Sequence, residues 1–268
     1  MPLFYVPYFM CLISFAIQQH ADWPLILMAN RDEYHQRPSA AAHFWQDQPQ
    51  LFAGRDLQAG GTWLGISQQG QLAAVTNYRE TAAQNAVPRY SRGALSSDFL
   101  SGPQSASDYL QQLATHAEDF AGFNFICGNP SQLYYFSNRQ GTVRSLKPGI
   151  YGLSNGLLDS PWPKVDAAKD ALQQRLNSGS INCAGFIADM QNRQAASPQQ
   201  LPHTGISSQR EQLLSSCFIV SGDYGTRCST AVLFHRSGRI FFMEQSYDAQ
   251  GRAHYSVQQQ LRTAPIPR

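Results

Sequence analysis

Two runs decide the reading of this chain: Met10-Cys11-Leu12-Ile13-Ser14-Phe15-Ala16-Ile17, and Leu25-Ile26-Leu27-Met28-Ala29, which leads directly into Asn30-Arg31-Asp32-Glu33. Each apolar run has the length and residue types of a β-strand, and the connection between them carries His20, Asp22 and Pro24. A hairpin is predicted over Cys11–Ile17 and Leu25–Ala29. A hairpin sets the start of its first strand beside the end of its second, so Cys11 is expected next to the charged tetrad. A thiol beside Arg31 has a lowered pKa and is partly thiolate near neutrality, and Asp32 is placed to orient such a nucleophile and its base. The alternative is a structural ion pair between Arg31 and Asp32 at a strand end.

Working outward, Thr62–Ser67 and Leu72–Thr76 flank Gln68-Gln69-Gly70 and read as a second hairpin. Ser91–Leu100 and Ala106–Phe120 have helical periodicity, with Ser105 as an N-cap. Strands resume at Phe123–Cys127, Gln132–Phe136 and Val143–Leu146, and Pro163–Leu176 and Ile181–Met190 read as helices. The tail returns to strands at Cys217–Ser221, Thr230–His235, Arg239–Gln245 and His254–Gln258, after a loop-like Asn192–Gln209 rich in Gln, Ser and Pro. Grouped strands alternating with grouped helices predict an α+β chain of antiparallel sheets packed face to face with helices outside, rather than a parallel βαβ sheet.

The 268 residues are 43% hydrophobic and 14% charged, with net charge +2. A chain of this length buries about 70–75% of its unfolded surface, so one large core is within reach and disorder is excluded. Lys occurs only at Lys147, Lys164 and Lys169, and the Arg residues are scattered, which argues against a nucleic-acid surface or a basic membrane stripe. The 5 Cys include no CxxC pair and the 7 His no HExxH, so neither a disulfide framework nor a structural metal is expected. A reducing, cytoplasmic setting fits. The apolar N-terminus lacks a basic region, is interrupted by Pro7, and falls short of the roughly 20 residues of a membrane span, so no stable membrane insertion is expected. Residues 1–10 are expected to be a leader, untranslated or removed, before a single domain over 11–268.

Other strand and loop ends present an amide or a guanidinium: Thr76-Asn77-Tyr78-Arg79, Ser154-Asn155 and Thr226-Arg227. An Asn side-chain N–H beside a backbone N–H is what an oxyanion hole needs, although Asn at a strand end is also an ordinary turn residue. Gly60-Gly61-Thr62-Trp63-Leu64-Gly65 is not a phosphate loop, because the Lys and its spacing are missing.

Taken in order, the motifs resemble those of the NRDE proteins, the family that includes the eukaryotic transport and Golgi organisation protein 2. They are Met10-Cys11, Asn30-Arg31-Asp32-Glu33 with Arg37-Pro38, Gly61-Thr62-Trp63-Leu64-Gly65, Thr76-Asn77-Tyr78-Arg79, Ser91-Arg92-Gly93, Gly122-Phe123-Asn124, Tyr151-Gly152-Leu153-Ser154-Asn155, Pro161-Trp162-Pro163-Lys164 and Tyr224-Gly225-Thr226-Arg227. Together they extend over nearly the whole chain. The resemblance implies the four-layer αββα sandwich of N-terminal-nucleophile hydrolases, in the cysteine branch that contains penicillin V acylases and bile salt hydrolases. It implies Cys11 as nucleophile, Arg31 as the Arg beside the thiol, Asn77 as the oxyanion Asn, Asn155 as a second active-site Asn and Arg227 as the late Arg. Asp32 matches that branch's Asp, with different local spacing. Such a site uses the free α-amine of its nucleophile as general base, so Cys11 must become the first residue; a start at Met10 followed by methionine removal would achieve this.

The same resemblance implies intracellular heme trafficking, and roles in acyl-CoA or lipid metabolism have been proposed for relatives. On that reading the protein binds heme, or a similar amphipathic ligand, as cargo and hands it to heme-receiving proteins. Cys11, His35, His43 and Tyr78 are then candidate ligands, and Arg31, Arg79 and Arg227 candidate partners for propionates. The alternative is an amidase, acylase or thioesterase acting on a linear amide or thioester through Cys11, with no catalytic cofactor. Relatives often end the strand at Glu244 with Glu-Arg, whereas this chain has Glu244-Gln245 and one guanidinium fewer at that edge.

Overall fold

Apolar residues fill both faces of the first hairpin because both faces are covered, as the computed structural model shows for residues 10–80 and 88–267 (for Met10, the backbone only). The expected leader before Met10 lies outside the described residues. Side chains alternate along a strand. β1 (Met10–Ile17) therefore sends Ile13, Phe15 and Ile17 to one side and Leu12 and Ala16 to the other. β2 (Leu25–Tyr34) does the same with Leu25, Leu27 and Ala29 against Ile26 and Met28. The pair is antiparallel, with Cys11 opposite Arg31 and Met10 opposite Asp32.

β10 (Gly149–Leu153) flanks β1, while β11 (Tyr224–Phe234), β12 (Arg239–Tyr247) and β13 (Ala253–Arg262) extend the other side into a six-stranded sheet, β10-β1-β2-β11-β12-β13. A second, seven-stranded sheet runs in chain order. It contains β3 (Ser39–Phe44), β4 (Leu51–Asp56), β5 (Leu64–Ser67), β6 (Leu72–Asn77), β7 (Phe123–Asn129), β8 (Gln132–Ser137) and β9 (Arg144–Ser145). Among the described residues, every pairing between these strands is antiparallel.

Phe15, Leu27, Phe52, Ile66, Tyr135 and Phe242 form the core between the sheets. α1 (Gly93–Ser101) and α2 (Ala106–Ala114) cover the second sheet through Leu95, Phe99 and Leu110 against Phe125. α3 (Pro163–Ser178) and α4 (Cys183–Asp189) cover the first through Leu172 and Phe186 against Met28 and Leu233. The result is the αββα sandwich. Ser105 caps α2, its hydroxyl accepting from the Asp108 N–H, and Gly70 takes the positive φ of +83° that its turn needs.

Several boundaries differ from expectation. Cys217–Ser221 is not a strand: the Cys217 carbonyl accepts from Asn30, the Phe218 N–H donates to the Asn192 carbonyl, and the Ile219 N–H donates to the Thr226 hydroxyl. A backbone satisfied in this way has no ladder to join. β11 begins six residues before the expected Thr230, because its polar start is paired along the polar end of β2. Ala106–Phe120 breaks after α2 and resumes as a 3-10 turn at Ala117–Asp119. β3, β4 and β10 escape the sequence pattern, since Ala and Gly at the centres of β3 and β4 carry no strand signal and β10 is five residues bounded by Gly149 and interrupted by Gly152. The Gln- and Ser-rich loop ends in α5 (Ser208–Leu213).

One contact shows how the Gly-rich turn before β5 is held. A Cβ on Gly61 would lie 2.4 Å from the Gly93 carbonyl carbon and 2.8 Å from the Ala94 nitrogen, and the Thr62 N–H donates to the Gly93 carbonyl at 3.1 Å. Backbone faces backbone, so no side chain can yield. Gly61→Ala is expected to lower stability by about 1–3 kcal/mol, as overpacking does, measured as a reduced urea midpoint at unchanged slope.

Candidate active site

The end of β2 stays buried after its sequence turns polar, with Asn30, Arg31, Asp32 and Glu33 all inside. Alternation then separates them. Asn30 and Asp32 continue the helix-facing row of Ile26 and Met28; Arg31 and Glu33 continue the inter-sheet row of Leu27 and Ala29, as does Cys11 after Ile13. Asn30 donates to the carbonyls of Met190 (2.9 Å) and Cys217 (2.8 Å) and accepts from Ser229 (2.6 Å), fastening the helix layer to the sheet.

On the inter-sheet side, Cys11 opens into a cleft of about 150 Å³ whose lining includes Arg31, Asp32, Glu33, Arg37, Trp63, Asn77 and Arg92. The Arg31 guanidinium lies 4.5 Å above the Trp63 ring, 3.4 Å from Glu33 Oε2 and 3.9 Å from Asp56 Oδ2. Arg37 shares the same two carboxylates, at 3.5 Å and 2.7 Å. Burial lowers the Arg92 pKa to about 10 and raises that of Glu33.

Asn77 reaches this cleft because the second sheet is tied to the loop after β10. The Thr76 hydroxyl donates to the Ser154 carbonyl (2.6 Å), and the Asn124 amide donates to Thr76 Oγ1 (3.1 Å) and the Gly156 carbonyl (2.8 Å). The Ser154 hydroxyl holds the Cys11 carbonyl at 2.8 Å. Asn155 donates through Nδ2 to the Asn77 carbonyl (2.8 Å) and is not among the residues lining the cleft.

Asp32, on the other face, accepts from the Thr226 hydroxyl at 2.6 Å. A bulge between Thr226 and Cys228 makes this possible: the extra residue, Arg227, shifts the alternation so that Thr226 shares Asp32's face. Burial pushes the Asp32 carboxyl up to about 6, with Lys164 opposing the rise.

Three expectations need correction. The Cys11 thiol is not lowered: burial, then Asp32, outweigh Arg31 and push it up to about 12. Arg227 does not line the Cys11 cleft; its Nη1 donates to the carbonyls of Tyr34, His35 and Arg37, clamping the β2–β3 connection beside a separate 390 Å³ cavity. The candidate heme ligands do not converge. His35 contacts the Ser221 carbonyl, His43 is exposed on the Ala41 carbonyl, and neither they nor Tyr78 line the cleft; Arg79 is paired with Glu211 at 2.8 Å. Arg37, Arg92 and Lys164 were visible inside ordered motifs but carried no assigned role, and no local pattern marks Asp56 or Glu244.

Glu244 lines the second cavity together with Arg31, Trp63 and Arg227, and its carboxylate accepts from the Ala42 N–H at 2.8 Å, joining β12 to β3. Burial pushes its pKa up to about 7 from an ordinary 4.5. The folded state therefore holds this proton longer than the unfolded state, and the stability it contributes is lost as pH rises from about 4.5 through 7. Glu244→Gln keeps an acceptor for Ala42 and removes the titration. It is expected to gain on the order of 3 kcal/mol over the unaltered protein between pH 4 and pH 8 in urea unfolding.

The family model described as Transport and Golgi organisation 2 matches residues 10–249. The Transport and Golgi organization protein 2 homolog of Bos taurus is 33% identical over 262 residues, covering 88% of this chain and 93% of its own. That of Homo sapiens is 32% identical over 274 residues, covering 92% and 97%. Among solved structures, the Caenorhabditis elegans N-acylethanolamine-hydrolyzing acid amidase ortholog aligns with a TM-score of 0.47 at 12% identity, over 82% of this chain and 92% of that one.

Proposed function

The chain belongs to the Transport and Golgi organisation 2 family, and from that premise we propose that its Cys11 cleft performs acyl transfer on a linear amide or thioester. The observation that carries this reading is the convergence of Cys11, Arg31 and Asn77 on one cleft, with Asp32 behind Cys11. A cleft of 150 Å³ accepts the reacting end of an extended ligand, and the guanidinium groups of Arg31, Arg37 and Arg92 suit a ligand with an anionic group.

In this chain the Cys11 nitrogen is a peptide nitrogen to Met10, and the thiol is held protonated. Opening the Met10–Cys11 bond supplies what is missing. The freed α-amine accepts the Sγ proton, Sγ attacks the acyl carbonyl, and Asn77 donates to the developing oxyanion. The C–N or C–S bond then breaks, the leaving group takes the proton from the α-ammonium, and water hydrolyses the Cys11 thioester with the same amine as base. A reducing, cytoplasmic setting suits a thiol used in this way.

The second reading is a carrier for heme or a similar amphipathic ligand, handing it to heme-receiving proteins. The intact Met10–Cys11 peptide favours binding without turnover. The cleft's volume, about half the ~300 Å³ lower bound of small-molecule pockets, and the position of His35 and His43 outside it weigh against heme, although Cys11 does line it.

Intact mass and N-terminal sequencing of protein made from its native coding region are expected to give a chain beginning at Cys11. That protein is expected to be labelled at Cys11 by an acyl or lactone probe, with labelling abolished in Cys11→Ala and slowed about 10²–10³-fold in Asn77→Ala. Retention of residues before Cys11 with a saturable 1:1 hemin Soret shift would instead establish the carrier.

A further inference from the structure

The 390 Å³ cavity that holds Glu244 and Arg227 adjoins the Cys11 cleft: Arg31 and Trp63, stacked at 4.5 Å, line both. Residues directly opposite one another in a sheet present their side chains on the same face. The register of the first sheet sets Cys11, Arg31, Cys228, Ser246 and Tyr255 opposite one another in turn, across β1, β2, β11, β12 and β13. At roughly 4.8 Å per strand the row is about 19 Å long. Its last four members all line the second cavity, which Ser39, Ala40 and Ala41 of β3 close from the other sheet. Tyr255, 55% exposed, stands where the row reaches solvent.

Arg31 is 5% exposed, and only part of its guanidinium is used. Nη2 meets Glu33 and Asp56, which line the Cys11 cleft and not the second cavity. Nη1 is buried and makes no hydrogen bond among the described residues. A buried donor in that state is destabilising until an acceptor reaches it. Arg227 lines the same cavity, its Nη1 already committed to three backbone carbonyls; burial, then the like charge of Arg31, lowers its pKa. Among the described lining residues the only carboxyl is Glu244, which is tied to the Ala42 N–H at 2.8 Å and whose pKa burial pushes up to about 7. Two guanidinium groups thus share a cavity with one largely neutralised acid, an arrangement that an anion completes.

We propose that this cavity is the second compartment of the Cys11 site and receives the carboxylate of a linear ligand whose amide or thioester carbonyl lies at Cys11, with Arg31 Nη1 and Arg227 as its partners. This rests on the acyl-transfer reading and deepens it, narrowing the substrate class to amides and thioesters that carry a carboxylate beyond the reacting carbonyl. Arg31 then serves both compartments: Glu33 and Asp56 fix its guanidinium over Trp63, and the free edge is offered to the ligand. A volume of 390 Å³ lies within the ~300–1,000 Å³ of small-molecule pockets. Ser39, Ser246 and His254 add hydroxyl and imidazole groups to the wall, which favours a charged end over an alkyl tail.

The test measures binding by calorimetry to the whole 268-residue protein carrying Cys11→Ala, in which no turnover through the thiol can occur. The probe is adipic monoamide, whose amide and carboxylate lie about 6 Å apart when extended, a little over one strand spacing. Saturable binding is expected, with hexanamide, which lacks the carboxylate, at least tenfold weaker. Ser246→Phe, which fills the second cavity three strands from Cys11, is expected to weaken the monoamide at least tenfold. No saturable binding, equal binding of hexanamide, or binding unmoved by Ser246→Phe overturns the assignment. If Ser246→Phe does not fold, isotope-filtered NOEs from 13C-labelled adipic monoamide decide: contacts to the Tyr255 and His254 rings uphold it, and contacts confined to Tyr90 and the Cys11 cleft overturn it. Binding is read without turnover, so loss of the acyl-transfer reading leaves this result standing on its own.

Discussion

Everything distinctive about this protein follows from a strand that remains buried on both faces after its sequence has turned polar. β2 is apolar from Leu25 to Ala29 and buried throughout Asn30–Glu33. A polar group in that position must find a partner, or its loss of hydration goes uncompensated. Because the side-chain period is two, the partners must come from two different layers. On the helix-facing side Asn30 meets the Met190 carbonyl and Asp32 the Thr226 hydroxyl, while on the inter-sheet side Arg31 meets Glu33 and Asp56 of the second sheet, and Glu33 meets Arg37.

The remainder of the site can be understood as the supply of those partners. On one side are Asp56 from β4, Trp63 from the turn before β5, and Arg37 from the β2–β3 connection. On the other are Thr226, turned onto the correct face by the bulge at Arg227, and the carbonyls of Met190 and Cys217 that Asn30 meets. Cys11 sits at the boundary, its side chain in the inter-sheet row and its nitrogen near Asp32's position in the ladder. The nucleophile and the carboxylate thus approach from opposite faces and meet only at the start of β1. Burial is also why the thiol and Asp32 both resist ionisation, since each loses hydration that Arg31 or Lys164 only partly replaces.

Much of this was legible in the residues. The β1–β2 hairpin, the Gln68–Gly70 turn, the Ser105 cap and the placement of Cys11 opposite Arg31 depend on local composition and spacing. β3, β4 and β10 were hidden because short strands rich in Ala or Gly take their structure from neighbours in the sheet. The start of β11 was hidden for a related reason: Tyr224–Ser229 is held by β2, not by an apolar pattern of its own. Arg227 looked like a site residue because its motif ends in a guanidinium, and only the fold shows that guanidinium bound to three backbone carbonyls.

The sequence by itself determined the antiparallel layered architecture and the pairing of Cys11 with the NRDE tetrad. Periodicity and a short hairpin connection are local properties that leave little freedom in register. Tertiary structure alone decided which members of the tetrad share a face with Cys11, that Asn155 donates to the Asn77 carbonyl, and that Thr226 reaches Asp32. Those relations join residues from about twenty to nearly two hundred positions apart through sheet faces and a bulge, and the strength of a charge interaction depends on burial and separation, neither of which a linear pattern carries.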